Sequence, residues 1–269
     1  MDWVQALALG VVQGLTEFLP ISSTAHVFIF SKIFGWGDPG AAFSAIIQIG
    51  TEMAVIIYFR KDITEVFRNI LKAVTDKQFR RSGDAKTSIA LVVGSFPILV
   101  IGFALRDLIE TDVRNLYLVA TMLIVFGVIL LLVEQYSRPR DTQDLTYKAS
   151  MLIGLSQALA LIPGVSRSGA TISAGLALGY SRNQSTRFAF LLAIPAVFAS
   201  GLFELRHGFD GEFSWGTTLL ATIASFCVGM LVIRWFMRFI SKYSFSIFGW
   251  YRIILGISIL LALISGLLA

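Results

Sequence analysis

Long apolar runs separated by short polar segments are the feature that most constrains this chain. An apolar stretch of roughly 20 residues is long enough to cross a bilayer as an α-helix. With 56% hydrophobic and 14% charged residues, the chain is too apolar for a soluble domain. The pattern predicts an all-α integral membrane protein with six transmembrane helices. The six runs are residues 41–59, 87–105, 115–133, 188–204, 213–233 and 250–268.

Two further apolar segments, residues 3–35 and 147–180, are interrupted near their middle by polar residues. The interruptions contain Pro20 and Pro163, and the apolar part on either side is too short to cross a membrane. Non-helical backbone at membrane depth is tolerated only where protein or water satisfies it. We therefore predict two re-entrant helix-loop-helix segments. For the first segment, a single kinked transmembrane helix is the alternative.

The two interrupted segments also resemble each other, and each is followed by three spans. Residues 10–15 and 20–23 are similar to residues 154–159 and 163–168, with one residue fewer before the second proline. An odd number of crossings inserts the second copy in the opposite orientation, as in inverted-repeat membrane proteins. This predicts a single membrane domain of two repeats, residues 1–134 and 147–269, whose polar loops face each other near the midplane.

The distribution of basic residues predicts the orientation in the membrane. Seventeen Lys and Arg residues lie in the segments 60–86, 134–148, 182–187 and 234–252, whereas the connections 106–114 and 205–212 contain three. Cytoplasmic segments carry an excess of Lys and Arg, so the first group is predicted to be cytoplasmic and both termini external.

Other classes of function are disfavoured by composition. The net charge of +5 comes from residues between apolar runs, with no basic patch interleaved with aromatic residues, so we expect no nucleic-acid partner. The single cysteine, Cys227, supports neither a disulfide framework nor a Cys/His metal site. We expect no cleavable signal peptide, because no basic leader precedes the first apolar run.

The second polar loop, residues 163–171, has the composition of a phosphate site. Arg167 offers a planar fork of donors, and Gly164 and Gly169 allow backbone N–H groups to approach a ligand. The following apolar run predicts a helix, whose N-terminus favours an anion. The alternative is a Gly/Ser-rich turn with Arg167 at the headgroups. Hydroxyl donors come from Ser166, Ser168 and Thr171.

The first polar loop supplies groups for phosphoryl transfer. Ser23 or an activated water is the candidate nucleophile, while Glu17 and His26 are available for proton transfer or metal binding. Ser23 and His26 lie three residues apart and share a face if the loop has become helical. Gln13 and Glu17, four residues apart, present oxygen atoms suited to Mg²⁺ or Ca²⁺. Further donors to substrate come from Ser22 and Thr24.

Residues 13–26 and 163–171 together closely resemble the two signature motifs of undecaprenyl-diphosphatases of the bacitracin-resistance type. Residues 48–50 and 190–195 extend the resemblance over essentially the whole chain. The family motif accepts Glu or Gln where this chain has Gln13, which leaves Glu17 as the main carboxylate. Glu52 stands where the resemblance leads us to expect an apolar residue, and we interpret it as an acid behind the site or a partner for Arg167.

The resemblance implies metal-assisted hydrolysis of undecaprenyl diphosphate to the monophosphate and phosphate. It places the protein in the bacterial inner, or plasma, membrane with the site open to the periplasmic or outer face. The expected partner is a polyprenyl diphosphate lipid, for which bacitracin competes without binding the protein, and a homodimer is the expected assembly. A transporter or flippase that uses the same midplane site is the alternative function. The attacking group, Ser23 or water, is left open.

Overall fold

The structure is a computed structural model that describes residues 1–105, 115–139, 144–209 and 214–267. Regular structure in these ranges is helical, which confirms the all-α prediction. The connection 106–114 and residues 210–212 of the connection 205–212 lie outside the described ranges. Within them, the α-helices are α1 (Trp3–Thr16), α2 (Ser23–Ile33), α3 (Ala41–Tyr58), α4 (Arg60–Thr75), α5 (Gly83–Ala104), α6 (Leu116–Tyr136), α7 (Tyr147–Ala158), α8 (Arg167–Ala177), α9 (Arg182–Phe209), α10 (Trp215–Ile240) and α11 (Ser246–Ile264).

Five helices, α5, α6, α9, α10 and α11, are long and apolar enough to cross a membrane. A sixth candidate span comes from α3 and α4, which form a pair bent by 75°. The described helices therefore provide five to six candidate spans, in agreement with the predicted six. One boundary differs, because residues 60–75 of the predicted polar connection form α4. Its apolar residues Ile63, Phe67, Ile70 and Leu71 recur at helical spacing, which gives this segment an amphipathic helix.

Both predicted interruptions are present. α1 and α2 are separated by residues 17–22, and α7 and α8 by residues 159–166, which include one 3-10 turn. Each of these four helices is too short to cross a bilayer alone, and the members of each pair contact each other. The chain therefore contains two helix-loop-helix units in place of two further spans.

The helix contacts follow the same pattern in the two halves of the chain. α1 packs on α10 and α7 packs on α5, while α3 packs on α9 and α6 on α11. Small residues permit the first two contacts: a Cβ atom at Gly10 or Gly154 would overlap a backbone carbonyl oxygen of the facing helix. This matching pattern is the one expected of two repeats, whose membrane orientation stays a prediction.

The largest buried apolar cluster lies next to the interrupted helices. It includes Phe18, Phe59, Phe190 and Phe236. The ring centroids of Phe18 and Phe190 are 5.5 Å apart in an edge-to-face arrangement. Because Phe18 follows Glu17 directly, this cluster fixes the backbone of the first polar loop against α9 and leaves the acidic side chain facing Arg167 of the second loop.

Candidate active site

The candidate site contains two helix N-termini at which the preceding residue has the same unusual, positive φ angle. Ser22 precedes α2 and Ser166 precedes α8, with φ angles of 74° and 69°. Each serine hydroxyl accepts a hydrogen bond from the backbone N–H three residues later. A left-handed non-glycine residue costs on the order of 1–3 kcal/mol and is typical of functional sites. Both positions are nine residues beyond a glutamine, Gln13 or Gln157, so the repeats match at the serines and not at the prolines.

A cavity of about 570 Å³ lies between the two loops. Its remaining wall comes from the N-terminal half of α3 and the C-terminal halves of α5 and α9, including Gln48, Phe103 and Glu204. Apolar residues such as Leu99 and Val197 line it beside the polar loops. The structure thus gathers much of the predicted site around one cavity. The predicted residues in its wall are Glu17, Ser22, Ser23, Thr24, Gly164, Ser166 and Arg167.

The carboxylate of Glu17 connects the two loops. One oxygen accepts a hydrogen bond from Nη2 of Arg167 at 2.5 Å. The other oxygen accepts from Oγ of Ser23 at 2.5 Å and from Nε2 of Gln13 at 2.6 Å. Charge-assisted hydrogen bonds of this length are the strong ones in proteins. Glu17 therefore holds both the candidate nucleophile and the candidate phosphate ligand.

A second carboxylate approaches the same guanidinium from α3. Oε2 of Glu52 lies 3.5 Å from Nη2 of Arg167, in agreement with the interpretation of Glu52 as a partner for that arginine. The Glu52 side chain is buried, and its Oε1 atom has no hydrogen-bond partner among the residues that the structure describes. Arg167 keeps 17% of its side chain exposed, at the cavity.

The structure gives His26 different partners from those expected. Its Nδ1 atom lies 2.8 Å from the carbonyl oxygen of Ser22, and its Nε2 atom lies 2.7 Å from the hydroxyl of Tyr251. A carbonyl can only accept, so Nδ1 donates, and in the neutral imidazole Nε2 then accepts from the Tyr251 hydroxyl. His26 is absent from the described cavity wall, and the group hydrogen-bonded to Ser23 is Glu17. The expected Ser23–His26 pair is therefore replaced by a Ser23–Glu17 pair.

Three predicted substrate ligands in α8 have partners within the protein. Ser168 donates to the carbonyl oxygen of Leu19 at 3.0 Å, which ties the second loop to the first. The Gly169 N–H donates to the Ser166 hydroxyl, and the Thr171 hydroxyl donates to the Arg167 carbonyl oxygen. None of the three is in the cavity wall as far as the structure describes it. Their hydrogen bonds instead hold the backbone of the second polar loop in place.

Sequence reasoning missed Arg252 as a site residue. The residue was assigned to the cytoplasmic segment 234–252, yet it is fully buried in α11. Its position inside an apolar run was the available signal, because a charge at membrane depth marks a functional or structural site. The segment 234–252 therefore has one Lys or Arg residue fewer outside the membrane helices. The excess of Lys and Arg in the predicted cytoplasmic segments remains. Arg252 donates to the carbonyl oxygens of Pro20, Met122, Leu123, Gly164 and Val165.

The candidate metal ligands, Glu17 and Gln13, suit a cation that binds together with a phosphate better than one held by the protein alone. The described residues contain no cluster of three or more His, Cys, Asp or Glu side chains. Glu17 lies in the cavity wall. Gln13 is absent from the described wall, and its side-chain amide donates an N–H to the Glu17 carboxylate. Mg²⁺ is commonly held by one or two carboxylates together with phosphate oxygens and water. Glu17 fits that arrangement, and the role of Gln13 as a metal ligand stays a prediction.

Comparisons with known proteins agree with the motifs. A family model described as "Bacitracin resistance protein BacA" matches residues 6–258. The chain is 49% identical to an undecaprenyl-diphosphatase of Nocardioides sp. (strain ATCC BAA-499 / JS614), covering 100% of this chain and 99% of the relative. It is 52% identical to an undecaprenyl-diphosphatase of Micrococcus luteus, covering 98% of both chains. The motifs, the helical membrane fold and these matches show that the chain belongs to the bacitracin resistance protein BacA family.

Proposed function

We propose that this protein hydrolyses undecaprenyl diphosphate to undecaprenyl phosphate and inorganic phosphate, which recycles the lipid carrier for peptidoglycan and cell-wall synthesis. The observation that carries the proposal is the convergence of Arg167, two helix N-termini and the Ser23–Glu17 pair on one cavity. Donors are arranged for a phosphoryl group, and a hydroxyl with an adjacent carboxylate is arranged to attack it. The full-length relatives named undecaprenyl-diphosphatase support the same substrate.

The Ser23–Glu17 contact favours serine as the nucleophile. As Oγ of Ser23 forms a bond to the terminal phosphorus, Glu17 accepts the hydroxyl proton. The bond from that phosphorus to the bridging oxygen breaks, and its electron pair leaves with undecaprenyl phosphate. Glu17 passes its proton to solvent and then takes a proton from the water that attacks the phosphoserine. In this second step the bond between phosphorus and Oγ of Ser23 breaks, Oγ takes the proton that Glu17 removed from the water, and phosphate leaves.

Arg167 and the backbone N–H groups of α2 and α8 stabilise the charge on the phosphoryl oxygens. Both helices begin at the cavity, so their N-terminal dipoles favour an anion there. A divalent cation, Mg²⁺ or Ca²⁺, held by Glu17 together with the diphosphate, would supply additional charge neutralisation. Phosphoryl transfer depends mainly on positioning and neutralisation, which these groups provide.

We further infer that the site opens to the outer face of the bacterial plasma membrane. The cavity is lined by the half of α3 next to residues 35–40 and by the ends of α5 and α9 that lead to the weakly basic connections. The basic segments, including α4, lie at the opposite ends of these helices. The positive-inside rule then assigns the cavity to the external half of the bilayer.

Phosphate release from a purified polyprenyl diphosphate tests the function. The full chain in detergent should release phosphate, and a chelator should lower the rate. Bacitracin added in excess over the lipid should also lower the rate by sequestering substrate. A matched control is Arg187→Gln, which removes an arginine that pairs with Asp62 away from the cavity and should keep most of the activity.

A lipid transporter is the competing function, and the matching helix contacts of the two repeats favour it. The two functions separate in proteoliposomes. A protein that moves labelled polyprenyl diphosphate between leaflets without releasing phosphate would be a transporter, and the proposed hydrolysis would be wrong.

A further inference from the structure

Glu52 is a buried acidic residue that lies outside both motifs. It is on α3, which can approach α10 closely because Gly50 has no side chain. A Cβ atom at Gly50 would overlap the backbone of Thr222 in α10. Its surroundings on the α9 side are apolar and include Ala189 and Phe190. A carboxylate in such a place is costly unless a charged donor compensates it. The compensating donor here is Arg167.

The contact between Glu52 and Arg167 is incomplete. Their 3.5 Å separation exceeds by about 0.7 Å the usual length of a guanidinium–carboxylate hydrogen bond. Both carboxylates that approach Arg167 contact the same Nη2 atom, while Oε1 of Glu52 has no partner in the described part of the chain. Arginine offers several N–H groups in one plane and binds a carboxylate at two points. Glu52 therefore has acceptor capacity that a small movement of Arg167 would use.

The proposed reaction weakens the contact that holds Arg167 at Glu17 and so allows that movement. Glu17 holds Arg167 at 2.5 Å and also hydrogen-bonds the Ser23 hydroxyl. When Glu17 accepts the proton of Ser23 it becomes neutral, and its attraction for the guanidinium falls. Charge on the phosphoryl oxygens develops in the same step, so Arg167 is most needed when Glu17 holds it least.

We propose that Glu52 is the alternate anchor of Arg167: a positioning residue that holds the guanidinium against the phosphate while Glu17 carries the proton. This inference rests on the proposed hydrolysis. In the resting site Arg167 is bound to Glu17, and during phosphoryl transfer it is bound to Glu52. Glu52 does not contact substrate, and its effect on the reaction passes through Arg167.

A purely structural role for Glu52 makes a different prediction. A residue that only stabilises α3 would change the melting temperature when replaced and would leave the turnover of the folded enzyme unchanged. An alternate anchor acts in the transition state, so its loss lowers kcat and leaves KM nearly the same.

Glu52→Gln is the informative substitution, because it keeps the shape and one acceptor oxygen but removes the charge. We expect kcat for phosphate release from polyprenyl diphosphate to fall about tenfold or more, since small misplacements of a positioning group have effects of this size. KM should stay within about twofold of wild type. Thr51→Val is the matched control: Thr51 is the adjacent buried residue on α3, and its hydroxyl donates to the Gln48 carbonyl oxygen within the same helix.

A double-mutant cycle with Arg167→Lys decides whether the effect passes through Arg167. The double variant Glu52→Gln/Arg167→Lys should be no slower than Arg167→Lys alone. The proposal would be overturned if the loss of kcat in the double variant equalled the product of the two single losses. A wild-type kcat in Glu52→Gln would also overturn it. If Glu52→Gln does not fold, Glu52→Asp enters the same cycle, because it keeps the charge and withdraws it by one methylene. Absence of phosphate release by the wild type and Thr51→Val would instead refute the proposed function itself.

Discussion

Replacing Arg252 by methionine should damage the site, although Arg252 itself is absent from the described cavity wall. The guanidinium donates to five backbone carbonyl oxygens at 2.9–3.4 Å. Two of these, in α6, also lie in a helical hydrogen-bond ladder. The other three, in Pro20, Gly164 and Val165, belong to the two polar loops, so Arg252 joins both loops to α11.

The expected magnitude follows from the three loop carbonyls. A buried polar group left without its partner costs about 1–3 kcal/mol, so three give roughly 3–9 kcal/mol. Relaxation and entry of water bring the loss towards the lower end, and we expect about 3 kcal/mol. Because total stabilities are typically about 5–15 kcal/mol, this is a large fraction of the total. Arg252→Lys should be intermediate, since one ammonium group cannot reach the carbonyls of both loops.

Thermal unfolding in detergent and phosphate release from polyprenyl diphosphate measure the two consequences. Arg252→Met should lower the melting temperature and reduce kcat, because the two helix N-termini lose their relative position. Arg187→Met is the control, since Arg187 forms a partly exposed ion pair with Asp62 whose loss should cost less than about 1 kcal/mol. Wild-type stability and turnover in Arg252→Met would show that the loops are held together without it.

Three further predictions concern the site and its orientation. Arg167→Lys keeps the charge but loses the planar fork, so kcat/KM should fall at least about tenfold, equivalent to about 1.4 kcal/mol; near-normal values would remove Arg167 from the phosphate site. Ser23→Ala should abolish turnover if serine attacks, whereas retained turnover together with total loss in Glu17→Gln would identify water as the nucleophile. Single cysteines at the exposed positions Lys77 and Ser265, in a background with the native cysteine replaced by serine, should react with an impermeant reagent from opposite sides of the membrane. Labelling of both in intact cells would contradict the predicted topology.

The sequence alone determined the membrane class, the six spans and the two interruptions. These features depend on local properties, namely the length of apolar runs and the placement of proline, glycine and hydroxyl residues. The motifs also predicted seven of the residues in the cavity wall, and the family matches confirm the resemblance to the family. Boundaries were less accurate, as α4 shows, because a polar segment with helical periodicity still forms a helix.

Only the tertiary structure decided how the site residues pair. Ser23 and His26 are close in sequence, yet α2 directs His26 to Tyr251 in α11 and leaves Ser23 against Glu17. Arg252 has the same charge as the basic residues of the preceding segment, and its burial depends on the packing of α11 against α6. Glu52 reaches Arg167 because α3 packs between α9 and α10. The partners of His26, Arg252 and Glu52 are distant in sequence, and the choice depends on which buried donors and acceptors the packed helices bring within hydrogen-bond distance.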